Sequence, residues 1–426
     1  MGHKTNTESG DFLVILSDAY MDKRTLLKLL TAVAVAGCGQ QSSTTKRLRV
    51  VVAGAGIVGA SIAYHLAKSG ASVTVIDKQG PATHASRGTF AWVNATWAKQ
   101  PRHYHALNRD SLADWRQLQK LLNLPVRWGG SLEWFDGVDR QEKLVAQIAE
   151  QVEWGEPARM VDASEFATLE PHVKFDKAAI AAYSPNDGAV DPVLATQMLL
   201  NAAERLGATV SYPSELMDAS TSGGRLTSVV TSTGSIEADR LVLATGAAFE
   251  LPKSIAGIDI PQRSTPGIIA VTEPMTRLLN HVIAAPGIHM HQRDDGRVVI
   301  GEQDGAPQNE AHTIRLEGRP NDFPVQEIAR QHGNRMLSIA KQFVPGMADA
   351  VIHDAYVGWR PLPIDGHPVL GATPANPDFY LAIMHSGVSL APIVGQLVAH
   401  ELTQAATIER LEQFRPTRTF QNVKLY

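Results

Sequence analysis

The 426-residue chain contains one cysteine, Cys38. No disulfide framework, Cys-x-x-Cys redox pair or thiolate metal cluster can be built from it, which excludes a reductase working through an internal dithiol. An excess of positive charge is also missing. Lys+Arg number 39 against 43 Asp+Glu, a formal net charge of −4, so nothing electrostatic argues for a nucleic-acid binder. No uninterrupted apolar run reaches about 18 residues, and no ordinary transmembrane helix is expected. Internal repeats are absent. What is there is ordinary globular composition, 44% hydrophobic and 19% charged, on a chain long enough to bury a sizeable core.

One short apolar run, Leu26 to Gly37, follows Lys23 and Arg24 and leads through Val35-Ala36-Gly37-Cys38 into a polar stretch, Gln40 to Thr45. A charged start, an apolar middle and a small-residue end are the parts of a secretory signal. Cys38 stands where a lipoprotein signal carries its lipidated residue. Lys23-Arg24-Thr25-Leu26-Leu27-Lys28 resembles a twin-arginine export signal with lysine in place of the first arginine. The expectation is an extracytoplasmic protein with a lipid anchor at Cys38. The alternative is a buried N-terminal helix on a cytoplasmic protein. Residues 1–20 carry no motif and read as an upstream extension before Met21.

Leu48 to Ala53 is an apolar strand pattern running into Gly54-Ala55-Gly56-Ile57-Val58-Gly59. A helical pattern follows, closed by Gly70, then a second strand, Ser72 to Ile76, ending at Asp77. This is the βαβ dinucleotide fingerprint with an acid at the expected distance. Gly54 allows the turn, Gly56 lets the backbone approach a pyrophosphate, and Gly59 lets helix and strand pack closely. The helix N-terminus offers N–H groups and about half a positive charge to phosphate. Asp77 can accept hydrogen bonds from ribose hydroxyls.

Further on, Tyr104–Leu122 and Gln141–Val152 have helical spacing. Asp162 and Glu165 suggest a capping box. Asp187-Gly188 reads as a turn, and Asp191-Pro192 as the start of a helix stopped by Gly207. Short strands are expected at 209–212, 226–231, 235–238 and 240–244, the last running into Thr245-Gly246. From Pro261 to about Ala350 the texture is antiparallel, with Asp295-Gly296 as a hairpin turn. Val325–Phe343 is a helix. A strand, Phe379 to Met384, leads to His385-Ser386-Gly387 and a last helix from Leu390.

The order of these motifs resembles the FAD-dependent amino-acid and amine oxidoreductases of the D-amino acid oxidase, glycine oxidase and sarcosine oxidase type. The motifs are Gly54–Gly59 with Asp77, Asp187-Gly188-x-Val190-Asp191-Pro192, Leu243-Ala244-Thr245-Gly246, Asp295-Gly296-Arg297 through Gly301, Gly358-x-Arg360-Pro361 through Pro368, and His385-Ser386-Gly387. The likeness covers about Arg47 to Leu402. It implies an α/β fold, a doubly wound FAD-binding domain with a mainly antiparallel α+β substrate domain. The FAD part is expected from 46–100, 185–260 and 351–426, the substrate part from 101–184 and 261–350, after an N-terminal extension, 1–45.

The resemblance implies hydride transfer from a carbon next to an amine nitrogen to the flavin N5, the imine then hydrolysing. It places Gly54, Gly56, Ile57, Val58, Gly59, Asp77, Lys78, Ser86, Arg87, Thr245 and Gly246 around FAD. The turn Ser386-Gly387-Val388 faces the flavin edge that becomes negative on reduction. Arg360 is the expected carboxylate ligand, since a guanidinium binds a carboxylate through two parallel bonds; a structural pair with Asp365 is its other reading. His289 is a substrate contact, with His291 on the same strand face, and His385 is the third expected active-site residue. His84 is a side candidate for covalent flavin attachment. No metal is expected. The partners implied are a small amine or amino acid and either oxygen or a membrane electron acceptor.

The chain departs from the sarcosine oxidase pattern in two places. The strand Arg297-Val298-Val299-Ile300 holds no lysine, and Val388 stands where some members have a carboxylate-binding lysine. Both absences lean toward a dehydrogenase or a slow oxidase, and away from sarcosine. A 2-hydroxy-acid dehydrogenase, a non-catalytic lipoprotein binding module and an NAD-dependent dehydrogenase remain open alternatives at this level.

Overall fold

The computed structural model describes residues 47–423 apart from 97–98, 177–178, 249, 303–322 and 324. The expectations for the export segment and Cys38 lie outside the described residues. Among those residues no helix is long and apolar enough to cross a membrane.

The strand Arg49–Ala53 lies inside a six-stranded sheet ordered Val369–Ala372, Phe379–Ile383, Arg240–Leu243, Arg49–Ala53, Ser72–Ile76, Thr209–Ser211. Its pairs are parallel except that between Val369–Ala372 and Phe379–Ile383. Side chains alternate across a strand, and both sets here are apolar. Val50 and Val52 share a core with the helices Ile57–Lys68, Pro192–Arg205 and Gly387–Gln404. Val51 and Ala53 share another with Leu216, Leu226 and Val229. Those residues belong to a three-stranded antiparallel sheet, Leu216–Ser222, Arg225–Thr231 and Gly234–Glu237. Burial on both faces explains the continuous apolar run. Helices cover one face, and strands cover the other.

Helix starts follow local chemistry. Asp191 Oδ1 accepts from the N–H groups of Val193 and Leu194 at 3.1 and 3.0 Å, with Pro192 at the first helical position. Asp162 caps Ala163–Leu169 in the same way. Glu165 does not complete a capping box, because it pairs with Arg159.

The second layer is an eight-stranded sheet. Its order is Ile352–Pro363, Gln262–Thr272, Val298–Glu302, Ile288–Gln292, Val282–Ala285, Ser131–Glu133, Ala181–Ser184, Arg159–Val161. It is antiparallel except where Val282–Ala285 meets Ser131–Glu133. Ile268 and Ala270 pack with Met336, Leu337 and Ala340 of the helix Gln326–Phe343. Ile269 and Val271 face the other way, beside Val299 and Phe90.

The segment 352–363 was expected with the dinucleotide part. It is hydrogen-bonded along Gln262–Thr272 instead, from Gln262↔Pro363 to Thr272↔Ile352. Pro361 and Pro363 suggest a loop, but the strand is at the sheet edge, where proline costs no ladder bond. A small fourth sheet, Trp92–Val93, Gly188–Val190 and Val126–Trp128, joins the parts. Asp187 ends the turn before Gly188 and is fully buried. The layers touch where Gly88 crosses Gly358. A Cβ on Gly358 would lie 2.0 Å from the Gly88 carbonyl oxygen, so only glycine permits the approach.

Candidate active site

A cavity of about 990 Å³ opens beyond the carboxyl ends of the parallel strands and reaches the second sheet. Gly54, Gly56, Ile57, Val58, Asp77, Lys78, Thr245 and Gly246 line it from the first sheet, and His84 and Ser86 from the loop that follows. Gly267, His289 and Arg360 line it from the second sheet, and His385, Ser386, Gly387 and Val388 from the start of the last helix. This is where open α/β sheets place ligands.

Three predicted residues lie elsewhere. Gly59 stands behind the wall, where a Cβ would come 1.9 Å from the Gly54 carbonyl oxygen. Arg87 does not line the cavity, and its guanidinium stacks 4.8 Å from the Tyr356 ring. His291 does not line the cavity; its Nε2 lies 3.0 Å from the Phe90 carbonyl oxygen.

The fingerprint end is built from backbone. Gly54 has φ +112°, and a Cβ there would strike the Ala244 carbonyl oxygen at 2.3 Å. The Ile57 N–H donates to Ser86 Oγ at 3.0 Å. Asp77 Oδ2 accepts from Ala55 N–H, and Oδ1 from the N–H groups of Gln79 and Gly80, all at 2.9 Å. Thr245 Oγ1 is buried with no hydrogen-bond partner among the described residues. Such an atom costs about 1–3 kcal/mol unless a ligand pairs it. The cavity is at the upper end of ligand-pocket sizes, about 300–1,000 Å³. A glycine-walled helix N-terminus, an acid at the second strand end and an orphaned hydroxyl together fit a bound dinucleotide such as FAD.

The opposite end is built from side chains. Burial pushes the His289 imidazole down to about 3, assisted by the charges of Arg360 and Arg140. Burial likewise pushes His385 down to about 3, assisted by Arg360 and Lys99. Both rings are neutral at pH 7. Asp365 is held by Arg418 through bonds of 2.7 and 3.0 Å, and Arg360 lines the cavity.

The last helix begins at Gly387 rather than Leu390, with Ser386 as N-cap at φ +54°. Pro392 in its second turn lacks an N–H, so the Val388 carbonyl loses its helical partner. Trp115 Nε1 donates to that oxygen instead at 3.0 Å, and Ser111 Oγ donates to the Ser389 carbonyl at 2.6 Å. Two side chains of the helix Arg102–Leu122 therefore fix the helix N-terminus at the cavity wall.

Sequence reasoning missed Lys99 and the work of Asp187. Lys99 lines the cavity and is 5% exposed. Burial pushes its ammonium down to about 7, opposed by the Asp187 charge. Asp187 accepts from Trp92 Nε1, Ala95 N–H, Thr96 Oγ1 and Ser131 Oγ. It pins the loop carrying Lys99 to the second sheet. A lysine following the apolar-rich stretch Phe90–Ala98 was the available signal, but a single charge in such a stretch does not say which way it points.

The model of the DAO family, described as FAD dependent oxidoreductase, matches residues 49–401. The chain belongs to this family, and its cofactor is FAD rather than NAD. One of the component chains of opine oxidase from Agrobacterium tumefaciens (strain Ach5) is 26% identical over 87% of this chain and 97% of its own length. Glycine oxidase of Bacillus licheniformis is 27% identical over 88% of this chain and 98% of its own. The fold matches that of L-proline dehydrogenase from P. horikoshii, with a TM-score of 0.75 and 23% identity over 87% of this chain and 97% of that one.

Proposed function

We propose that the protein oxidises a C–N bond of a small amino acid or secondary amine. The observation that carries this reading is the location of Arg360. It lines the same cavity as the dinucleotide fingerprint, on the wall formed by the second sheet. When bound, FAD supplies a two-electron acceptor for the hydride. The protein supplies position. Arg360 holds the substrate carboxylate through charge-assisted bonds. His289 and His385, with values pushed down to about 3, are too weakly basic to hold a substrate proton at pH 7, and they orient the substrate instead. The helix N-terminus at Gly387 favours negative charge beside it. The amine lone pair forms the C=N bond as the hydride leaves, and water then hydrolyses the imine to a carbonyl compound and an amine or ammonia. Dioxygen or a membrane electron carrier takes the two electrons in the next step.

Anaerobic bleaching of the visible flavin spectrum tests the reading. Amino acids or N-alkyl amino acids should bleach it. Bleaching by 2-hydroxy acids alone would replace C–N by C–O chemistry, and a colourless protein would refute the site itself. Flavin released into the supernatant on acid precipitation would exclude a covalent link to His84. The proposal keeps an extracytoplasmic location with a lipid anchor at Cys38, resting on the sequence pattern of residues 23–45. Membrane fractionation of the Cys38→Ser variant tests it: unchanged membrane association would refute the anchor.

A further inference from the structure

Arg360 accounts for one carboxylate, and the same end of the cavity holds a second buried cation. Lys99 Nζ donates to Ser386 Oγ at 2.8 Å and lies 5.4 Å from the centre of the Tyr104 ring. Ser386 Oγ is also 3.3 Å from His385 Nδ1. With the ammonium donating to the hydroxyl oxygen, the hydroxyl proton turns to Nδ1, and the neutral imidazole carries its own proton on Nε2. Lys99, Ser386 and His385 thus form one directed chain of donors. Both Lys99 and Arg360 act electrostatically on His385, so the two cations lie within electrostatic reach of one imidazole.

Burying an ammonium is costly unless an anion meets it. Asp187 attracts Lys99, but its oxygens already take four hydrogen bonds from Trp92, Ala95, Thr96 and Ser131. Glu302, one of the carboxylates lining the cavity, is paired with Arg335. The last helix adds its own positive end at Ser386. The carboxylates named here are thus engaged within the protein, while Lys99 and the positive helix end stay on the cavity side.

We infer that the substrate carries two carboxylates, one bound by Arg360 and the other by Lys99. This rests on the amine-oxidation reading and narrows its substrate to an amino acid with a second acid group, borne either on its side chain or on its nitrogen substituent.

The test is made on the FAD-loaded protein with two unreactive probes of one skeleton, thiodiacetate and methylthioacetate. Binding is followed by the flavin difference spectrum and by calorimetry. Thiodiacetate should bind at least about 10-fold more tightly, the effect of one charge-assisted hydrogen bond. The preference should collapse toward unity in Lys99→Met and in Lys99→Gln, which keeps a donor for Ser386, and persist in Lys99→Arg. A purely structural role for Lys99 would weaken both probes together and preserve the ratio. A ratio near one in the unaltered protein, or one unmoved by removing the charge, overturns the inference.

Substrate arms then separate the two sources of the second acid. Bleaching by aspartate or glutamate places it on the side chain, and bleaching by iminodiacetate places it on nitrogen. A high probe ratio with no bleaching by any amine would sink the oxidation reading alone. Bleaching by monocarboxylic amino acids with a ratio near one would sink only this inference.

Discussion

The two ends of the cavity recognise their ligands by different means. At the fingerprint end the groups are backbone N–H donors, glycines and strand ends, with Gly54, Gly56 and Ile57 close together in sequence. At the other end they are side chains, Lys99, His289, Arg360 and His385, drawn from four distant segments. Backbone recognition needs only a local turn and helix, and it tolerates little change in shape. Side-chain recognition needs the second sheet to arrive, and it can be altered charge by charge while the fold stands. The two ends should therefore respond to mutation in different ways.

The largest effect is expected at the backbone end. In Gly59→Ala the new Cβ would lie 1.9 Å from the Gly54 carbonyl oxygen. No rotamer relieves that clash, so helix and strand must separate. The variant should purify without flavin colour, read from the visible absorbance relative to protein. Retained flavin would mean that Gly59 is not a packing constraint.

At the side-chain end, Arg360→Ala should keep its flavin. Two charge-assisted bonds, at about 1.5–3 kcal/mol each, correspond to a loss of roughly 10²–10⁴-fold in kcat/KM for a carboxylate substrate. Loss of colour in this variant would contradict the separation of the two ends.

A pH series sharpens the comparison. The folded protein resists protonating His289 and His385, whose values are pushed down to about 3 from 6.5. The unfolded chain therefore binds more protons as pH falls below 6.5. The stability they contribute is full above that pH and is lost on the way down toward 3. For His289 the slope is about 1.4 kcal/mol per unit. Denaturant midpoints measured between pH 7 and 5 should fall, and His289→Gln should flatten the curve. An unchanged slope would mean that the imidazole takes up its proton in the fold as readily as in the unfolded chain.

The smallest effect is expected where one end supports the other. Trp115→Phe leaves the Val388 carbonyl, opposite Pro392, without its donor. A loss of about 1–3 kcal/mol in unfolding free energy is expected, with flavin retained. A loss below about 0.5 kcal/mol would show that water replaces the indole.

The legible parts of the molecule were those set by neighbours along the chain. The strand Ser72–Ile76 has the bounds expected for the second strand of the βαβ unit, and Asp191 caps its helix through its own side chain. The strand Ile352–Pro363 was hidden by its prolines, which only an edge position reconciles with a ladder. Arg87 and Ser86 are adjacent, yet one reaches the fingerprint and the other stacks on Tyr356. Nothing in their spacing distinguishes them. The one local signal at Lys99, a charge after an apolar-rich stretch, gives no direction, because its meaning depends on Ser386, 287 positions away.

By itself the sequence determined the βαβ unit, its dinucleotide fingerprint and the arginine motif, because each depends on torsions and hydrogen bonds between residues a few positions apart. Only the tertiary structure decided which charges share one buried space. Electrostatic meaning inside a protein comes from distance and desolvation, and both are fixed when separate segments pack together.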